Sequence, residues 1–125
     1  MKAYHTDKAP AAVGPYVQAL KAGNFLYLSG QTPIVPETGK LIEGGIEEQT
    51  RQVFKNIEAI LEEAGYKKTD VLKSTVFLTD MANFQAMNKV YEEFYGDHKP
   101  TRSAFAVKAL PVNAIVEIET ICYKE

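Results

Sequence analysis

Glu117 and Glu119 stand two apart in Val116-Glu117-Ile118-Glu119, within the apolar stretch from Ala114 to Tyr123. On a β-strand such residues share a face, with Cα atoms about 6.5–7 Å apart. Two carboxylates at that spacing suit paired acid/base chemistry of the glycosidase kind. An ordinary solvated strand face is the plainer reading, because glutamates at i and i+2 are common on exposed strands. Arg102 follows Pro100-Thr101 and opens a run of small and apolar residues. Its planar guanidinium is built for bidentate recognition of a carboxylate or phosphate; a surface ion pair is the plain structural alternative. Tyr16 follows Gly14-Pro15 at a loop–strand junction, either as a core ring or as a hydroxyl facing a ligand. Ser29-Gly30-Gln31 closes another apolar run, where backbone amides and a hydroxyl can meet a ligand. Ser29 lacks the Gly-x-Ser-x-Gly surround of an acyl-transfer nucleophile.

Other chemistries find little support. His5 and His98 have no metal-ligand spacing, and no His/Asp/Glu cluster resembles a zinc or iron site. Both histidines are expected on the surface. Glu43-Gly44-Gly45 lacks the Gly-Lys-Ser/Thr ending of a P-loop. The single cysteine, Cys122, excludes an internal disulfide and a cysteine-rich metal site, and is expected as a small buried hydrophobe. With 14 Lys and Arg against 16 Asp and Glu, the net charge is −2. No basic surplus exists to neutralise phosphates, which argues against nucleic acid as a partner. No run approaches the roughly 18 apolar residues of a membrane span, and no secretory h-region is visible. A soluble, cytoplasmic protein is the expectation. The 125 residues, 46% hydrophobic and 24% charged, fit a single globular domain over 1–125.

The candidate residues need elements to hold them. Residues 9–15 carry two prolines and a glycine and read as loop. Tyr16–Leu20 and Asn24–Ser29, separated by Ala22-Gly23, predict a β-hairpin. Residues 30–45, with two prolines and three more glycines after Gly30, read as one long loop. Apolar residues at Ile46, Val53, Phe54, Ile57, Ile60, Leu61 and Ala64 trace one stripe of a helix that Gly65 stops. Val71–Leu78 is strand-like. A second helix spans about 83–95, capped by Asp80 or Asn83, with Phe84, Met87, Tyr91, Phe94 and Tyr95 on its buried side. Strands over 103–110 and 114–123 close the chain, with a further short strand expected at residues 2–6. The pattern is α+β: a mixed, mostly antiparallel sheet with two helices on one face. In the last strand Val116, Ile118, Thr120 and Cys122 point one way, and Ile115, Glu117, Glu119 and Ile121 the other. Two helices cover one sheet face only. The second set, apolar and acidic together, therefore predicts self-association through the other face.

Residues 100–111, Pro-Thr-Arg-Ser-Ala-Phe-Ala-Val-Lys-Ala-Leu-Pro, followed by Val116-Glu117-Ile118-Glu119, closely resemble the C-terminal signature of the Rid family. The family is also called YjgF, and its RidA branch contains imine and enamine deaminases. Ala9-Pro10-Ala11-Ala12-Val13-Gly14-Pro15-Tyr16 resembles its N-terminal motif, and Ser29-Gly30-Gln31-Thr32-Pro33 its strand–loop motif. Asn88 falls at another recurring position. The likeness runs over nearly the whole chain. It implies a chorismate-mutase-like sandwich, a homotrimer, and a ligand cleft at each subunit interface. By the same resemblance Arg102 binds the substrate carboxylate, Glu117 positions or activates water, and Tyr16 lines the pocket. The backbone at Gly30 and Ala104 contacts the ligand, while Ser29 and Asn88 support the cleft. Glu119 is given no role.

The implied reaction is cofactor-independent hydrolysis of 2-imino or enamine acids, such as 2-iminopropanoate derived from 2-aminoacrylate, or 2-iminobutanoate. The products are 2-oxo acids and ammonia. No metal is implied. Many RidA-branch members carry cysteine where this chain has Ala104, and Phe105-Ala106 replaces the commoner Val-Glu; these departures bear on the preferred substrate. A module that binds 2-oxo or amino acids without strong turnover is the alternative. RNA cleavage conflicts with the acidic balance, and chorismate mutase activity would rest on fold analogy alone.

Overall fold

The computed structural model describes residues 1–125. The chain runs β1 (Lys2–Tyr4), β2 (Ala19–Ala22), β3 (Phe25–Gln31), β4 (Ile34–Val35), β5 (Lys40–Leu41), α1 (Ile46–Ala64), β6 (Val71–Leu78), α2 (Phe84–Tyr95), β7 (Thr101–Ala106) and β8 (Val116–Tyr123). Six strands form one sheet in the order β1-β2-β3-β8-β6-β7, and β4 and β5 form a small separate hairpin. Every pair in the large sheet is antiparallel except β6–β7, which α2 connects in parallel. Both helices pack on one face of the sheet. The core there includes Leu26, Leu28, Val76, Leu78, Val116, Ile118 and Cys122 from the strands and Val53, Ile57, Ile60, Met87 and Val90 from the helices.

Helix α1 occupies the residues its apolar stripe predicts. Glu48 Oε1 accepts from the Gly45 amide at 2.8 Å at its start. Gly65 adopts φ 79° at its end, a left-handed conformation that costs glycine nothing. Lys124 Nζ then donates to the Gly65 carbonyl at 2.6 Å, tying the end of the chain to the helix terminus. The helix also buries polar side chains that the apolar stripe does not announce. Asn56 is fully buried and donates to the carbonyls of Thr32 and Ile34 at 3.1 and 2.9 Å, which pins the chain just after β3. Gln49 Oε1 accepts from the Ile115 amide at 2.9 Å, which fixes the entry to β8.

Several expected boundaries move. The first hairpin forms, but β2 begins at Ala19 rather than Tyr16. The cause is Gln18, whose buried side chain accepts from the Thr6 amide at 2.7 Å and donates to the Thr6 and Pro10 carbonyls at 3.0 and 2.9 Å. These bonds anchor an irregular N-terminal segment instead of extending the ladder. Residues 30–45 are not one long loop: the β4–β5 hairpin folds within them. Strand β7 spans 101–106 rather than 103–110, since its pairing with β6 runs out at Leu78–Ala106. Helix α2 starts at Phe84, behind a single 3-10 turn at Met81–Asn83 whose Ala82 amide is capped by Asp80. His98 is not free on the surface: it is half-buried, with Nε2 2.7 Å from the Val71 carbonyl. Cys122 is fully buried, as expected.

Between β7 and β8 the chain turns through two left-handed residues that are not glycine, Val112 at φ 55° and Asn113 at φ 61°. Asparagine tolerates this region; a β-branched residue does not, at a cost of about 1–2 kcal/mol. Val112 is exposed, so its side chain contributes little packing. Val112→Gly is expected to raise stability by about 1 kcal/mol, read as a higher Tm at fixed protein concentration. An unchanged or lower Tm would show that Val112 is not strained in solution.

Candidate active site

Strand β8 lies between β3 and β6 and alternates strictly, with Val116, Ile118, Thr120 and Cys122 buried beneath the helices. Glu117 therefore emerges on the face the helices leave open. Its neighbour β3 loses register between Leu28 and Gln31, a bulge that holds Ser29 and Gly30. The bulge brings the Gly30 backbone against the Glu117 carboxylate so closely that a Cβ at position 30 would overlap Glu117 Oε2. Burial raises the Glu117 pKa above its ordinary 4.5, and the charge of Glu119 on the same face raises it further. The two glutamates share a face as the sequence predicts, but Glu119 is exposed and only Glu117 is seated on the bulge.

Arg102 lies on the edge strand β7. Its Nη1 donates to Asn88 Oδ1 of α2 at 2.6 Å. The guanidinium carbon stands 4.7 Å from the centroid of the Tyr91 ring and 5.3 Å from that of Phe84. None of the chain's ion pairs includes Arg102, so the surface-ion-pair alternative does not describe this residue. A groove of about 560 Å³ opens beside it, lined in part by Asn88, Tyr91, Tyr95 and Pro100.

The sheet register separates these two centres. Ser74, Thr120 and Arg102 form one row across β8, β6 and β7, and Ile118, Val76 and Ala104 form the next on the same, helix-covered face. Glu119, Thr75 and Ser103 form the row between them, and Glu117, Phe77 and Phe105 the row after Ile118, Val76 and Ala104, both on the open face. Arg102 and Glu117 thus point to opposite sides of the sheet within one chain. Ala104 packs against the core beside Arg102.

Tyr16 is 49% exposed and is not a core ring. With Tyr27, Ser29, Glu119 and Ile121 it lines an open groove of about 540 Å³ on the Glu117 side of the sheet. The Ser29 hydroxyl donates to the Val17 carbonyl at 2.6 Å, and the Ser29 amide donates to the Gln18 carbonyl at 2.9 Å. Ser29 therefore secures the segment that carries Tyr16 against β3. The structure brings together Glu117, Gly30, Ser29 and Tyr16 as one group, and Arg102, Asn88 and Ala104 as a second.

The profile of the family described as Endoribonuclease L-PSP matches residues 6–124. The chain belongs to this family, which is the Rid or YjgF family. It is 55% identical over 120 residues to a RutC family protein of Pyrococcus horikoshii, covering 96% of this chain and 95% of that protein. It is 47% identical over 116 residues to Reactive Intermediate Deaminase A, chloroplastic, of Arabidopsis thaliana, covering 93% of this chain and 62% of that longer protein. The crystal structure of RidA from an Antarctic Psychrobacter superposes with a TM-score of 0.95 at 48% identity, covering 99% of this chain and all of that one. The chorismate-mutase-like α+β fold expected from the sequence is thereby shown, and a Rid-type role with it.

Two site neighbours escape a sequence reading. Phe84 and Tyr91 look like core positions on an amphipathic helix, yet they carry the Arg102 guanidinium. The signal is a stripe at i, i+4 and i+7, Phe84-Asn88-Tyr91, with one amide between two rings. For the Glu117 group, Gly30→Ala supplies the decisive variant. Gly30 has no left-handed backbone to strain, so the protein is expected to fold with the Glu117 carboxylate pushed off the bulge. A crystal structure of the variant checks this; a carboxylate left in place would refute the tight contact.

Proposed function

We propose that the chain is a hydrolytic deaminase of small 2-imino and enamine acids, acting in a homotrimer without a cofactor. The observation that carries this reading is Arg102, a cation with no acidic partner in the chain, held by Asn88 with further N–H donors unspent. Such a group is suited to a ligand carboxylate. Glu117, on the opposite sheet face, cannot serve the same small molecule within one protomer. A second copy that sets its Glu117 face against the Arg102 edge completes the site, and a closed ring of three copies gives three equivalent sites. The open face with Glu117, Tyr27, Ile121 and Phe105 is the surface available for that contact.

The chemistry needs little more than orientation and one base. Arg102 holds the carboxylate and so fixes C2 of the imine, which removes part of the entropic barrier. The Glu117 carboxylate accepts a proton from water as the water oxygen bonds to C2 and the C=N pair moves to nitrogen. Glu117 returns that proton to the nitrogen, which gives the carbinolamine; the carboxylate then passes the hydroxyl proton to the same nitrogen as the O–H pair closes C=O and the C–N bond breaks, and ammonia and the 2-oxo acid leave. General-base assistance of this kind contributes roughly 10²–10⁴ in rate. An enamine such as 2-aminoacrylate first tautomerises to the imine. Tyr16, Ser29 and the backbone at Gly30 and Ala104 shape the cleft. The kinship with Reactive Intermediate Deaminase A supports the reaction class. The endoribonuclease description of the family finds no phosphate-binding surplus here, with a net charge of −2.

Steady-state deamination of 2-iminobutanoate, beside light scattering, tests the reading. The particle is expected at three times 13.9 kDa. Arg102→Lys keeps the charge but loses the planar fork, and is expected to lower kcat/KM by about 10- to 1000-fold in an intact trimer. Wild-type kcat/KM in that variant would rule out the carboxylate anchor, and its unfolding would make Arg102 structural. Glu117→Gln is expected to lower kcat while 2-oxobutanoate still binds. Binding of 2-oxobutanoate by the wild type with no acceleration of ammonia release would favour the regulatory module.

The pH profile gives a further check. Glu117 acts as a base only when ionised, and its pKa is raised, so activity is expected to fall with acid at a higher pH than an ordinary glutamate dictates. Glu119→Gln removes one cause of that rise and is expected to move the acid limb to lower pH. An unmoved limb would assign it to another group.

A further inference from the structure

We propose that Tyr91, with Phe84 in a lesser part, is the positioning residue of the site: its ring face holds the Arg102 guanidinium at the angle that presents its free N–H edge to a ligand carboxylate. This rests on the anchor role proposed for Arg102.

An arginine on an exposed edge strand has several rotatable bonds, and freezing them opposes binding. Preorganisation reduces that opposition. Here three side chains of one helical stripe act on one guanidinium. Asn88 accepts from Nη1 at 2.6 Å and fixes one corner of the plane. Tyr91 at 4.7 Å and Phe84 at 5.3 Å, one turn of helix to either side of Asn88, supply the ring faces. A hydrogen bond at one corner alone leaves the guanidinium free to swing; the rings restrict that motion.

The Tyr91 ring is itself well fixed. The residue is only 8% exposed, and it packs edge-on to Phe54 at 5.6 Å and against Tyr95 at 4.8 Å between ring centroids. Its hydroxyl is buried with no partner at full hydrogen-bonding geometry: Ser74 lies near enough to offset part of the burial effect on its pKa, but bonds Tyr95 at 3.2 Å. Burial also raises the Tyr91 pKa, so the group meets Arg102 as a neutral ring and not as a phenolate. The part of Tyr91 that matters to Arg102 is therefore the ring. The hydroxyl is dispensable to the role, which separates two variants.

Tyr91→Phe keeps the ring and Tyr91→Leu removes it. Two measurements read the outcome. In the free trimer, the Arg102 δ-methylene and Nε–H protons are expected upfield in the NMR spectrum, shielded by the rings. That shift should persist in Tyr91→Phe and largely vanish in Tyr91→Leu. In calorimetric titration with 2-oxobutanoate, Tyr91→Phe is expected within about twofold of the wild type. Tyr91→Leu is expected to bind about 5- to 30-fold more weakly, the range of a partly desolvated cation–π contact. In turnover the loss should fall on KM before kcat. Where Tyr91→Leu does not fold, Phe84→Leu at the half-buried position carries the same test with a smaller loss. Equal weakening in Tyr91→Phe and Tyr91→Leu would assign the effect to the hydroxyl and overturn the proposal. So would unshifted Arg102 resonances in the wild type. An Arg102→Met variant that loses binding beside a folded Tyr91→Leu variant that keeps it overturns the positioning role alone. Wild-type binding in Arg102→Met overturns the anchor role and this inference together.

Discussion

Strand β8 is hydrogen-bonded along both edges, and the rest of the molecule follows from that confinement. A central strand cannot slip by one residue without turning its whole apolar set to the other face. Val116, Ile118, Thr120 and Cys122 are held beneath α1 and α2, so Glu117 must emerge on the opposite side. The rows that cross from β8 through β6 to β7 carry the same parity outward. That is why Arg102 reaches the helix side while Glu117 does not. The division of the candidate site into two groups is thus a consequence of sheet geometry, and it makes association with a second copy a chemical requirement of the proposed reaction.

Much of this was legible in the residues. The stripe of α1, the alternation of β8 and the stop at Gly65 are local patterns, and each depends on neighbours close in sequence. The site residues were legible through motif resemblance more than through chemistry. From type and spacing alone, the ordinary reading of Arg102 and of Glu117 is the better one. What escaped depends on distant partners. The start of β2 is set by Gln18 bonding the chain near Thr6, and the order within residues 30–45 by Asn56 reaching back from α1. No window of sequence contains both ends of such a bond. The Arg102 cradle was hidden differently: Phe84 and Tyr91 satisfy an amphipathic pattern so well that their second use leaves no separate trace.

The buried polar residues of α1 show how the fold serves the site at a distance. Asn56 and Gln49 face the sheet and spend their side chains on main-chain groups of the β3–β4 connection and of the approach to β8. A buried amide that satisfies a carbonyl is costly to remove, because its partner would be left without water or protein. Gly30 and Glu117 sit on the two segments so restrained. The bulge contact is therefore supported from beneath by a helix on the opposite face of the sheet.

Cys122 lies on the protected parity of β8, fully buried under the helices. Desolvation, and to a lesser degree the charge of Asp70, push its thiol pKa up to about 12. At neutral pH it stays the neutral thiol, whereas the thiolate is the nucleophilic form. With alanine at position 104, this is the only sulfhydryl in the chain. A protein proposed to handle electrophilic imines and enamines thus offers them no sulfur nucleophile to alkylate. The same alternation that exposes Glu117 withholds the one thiol from electrophiles and oxidants in solution.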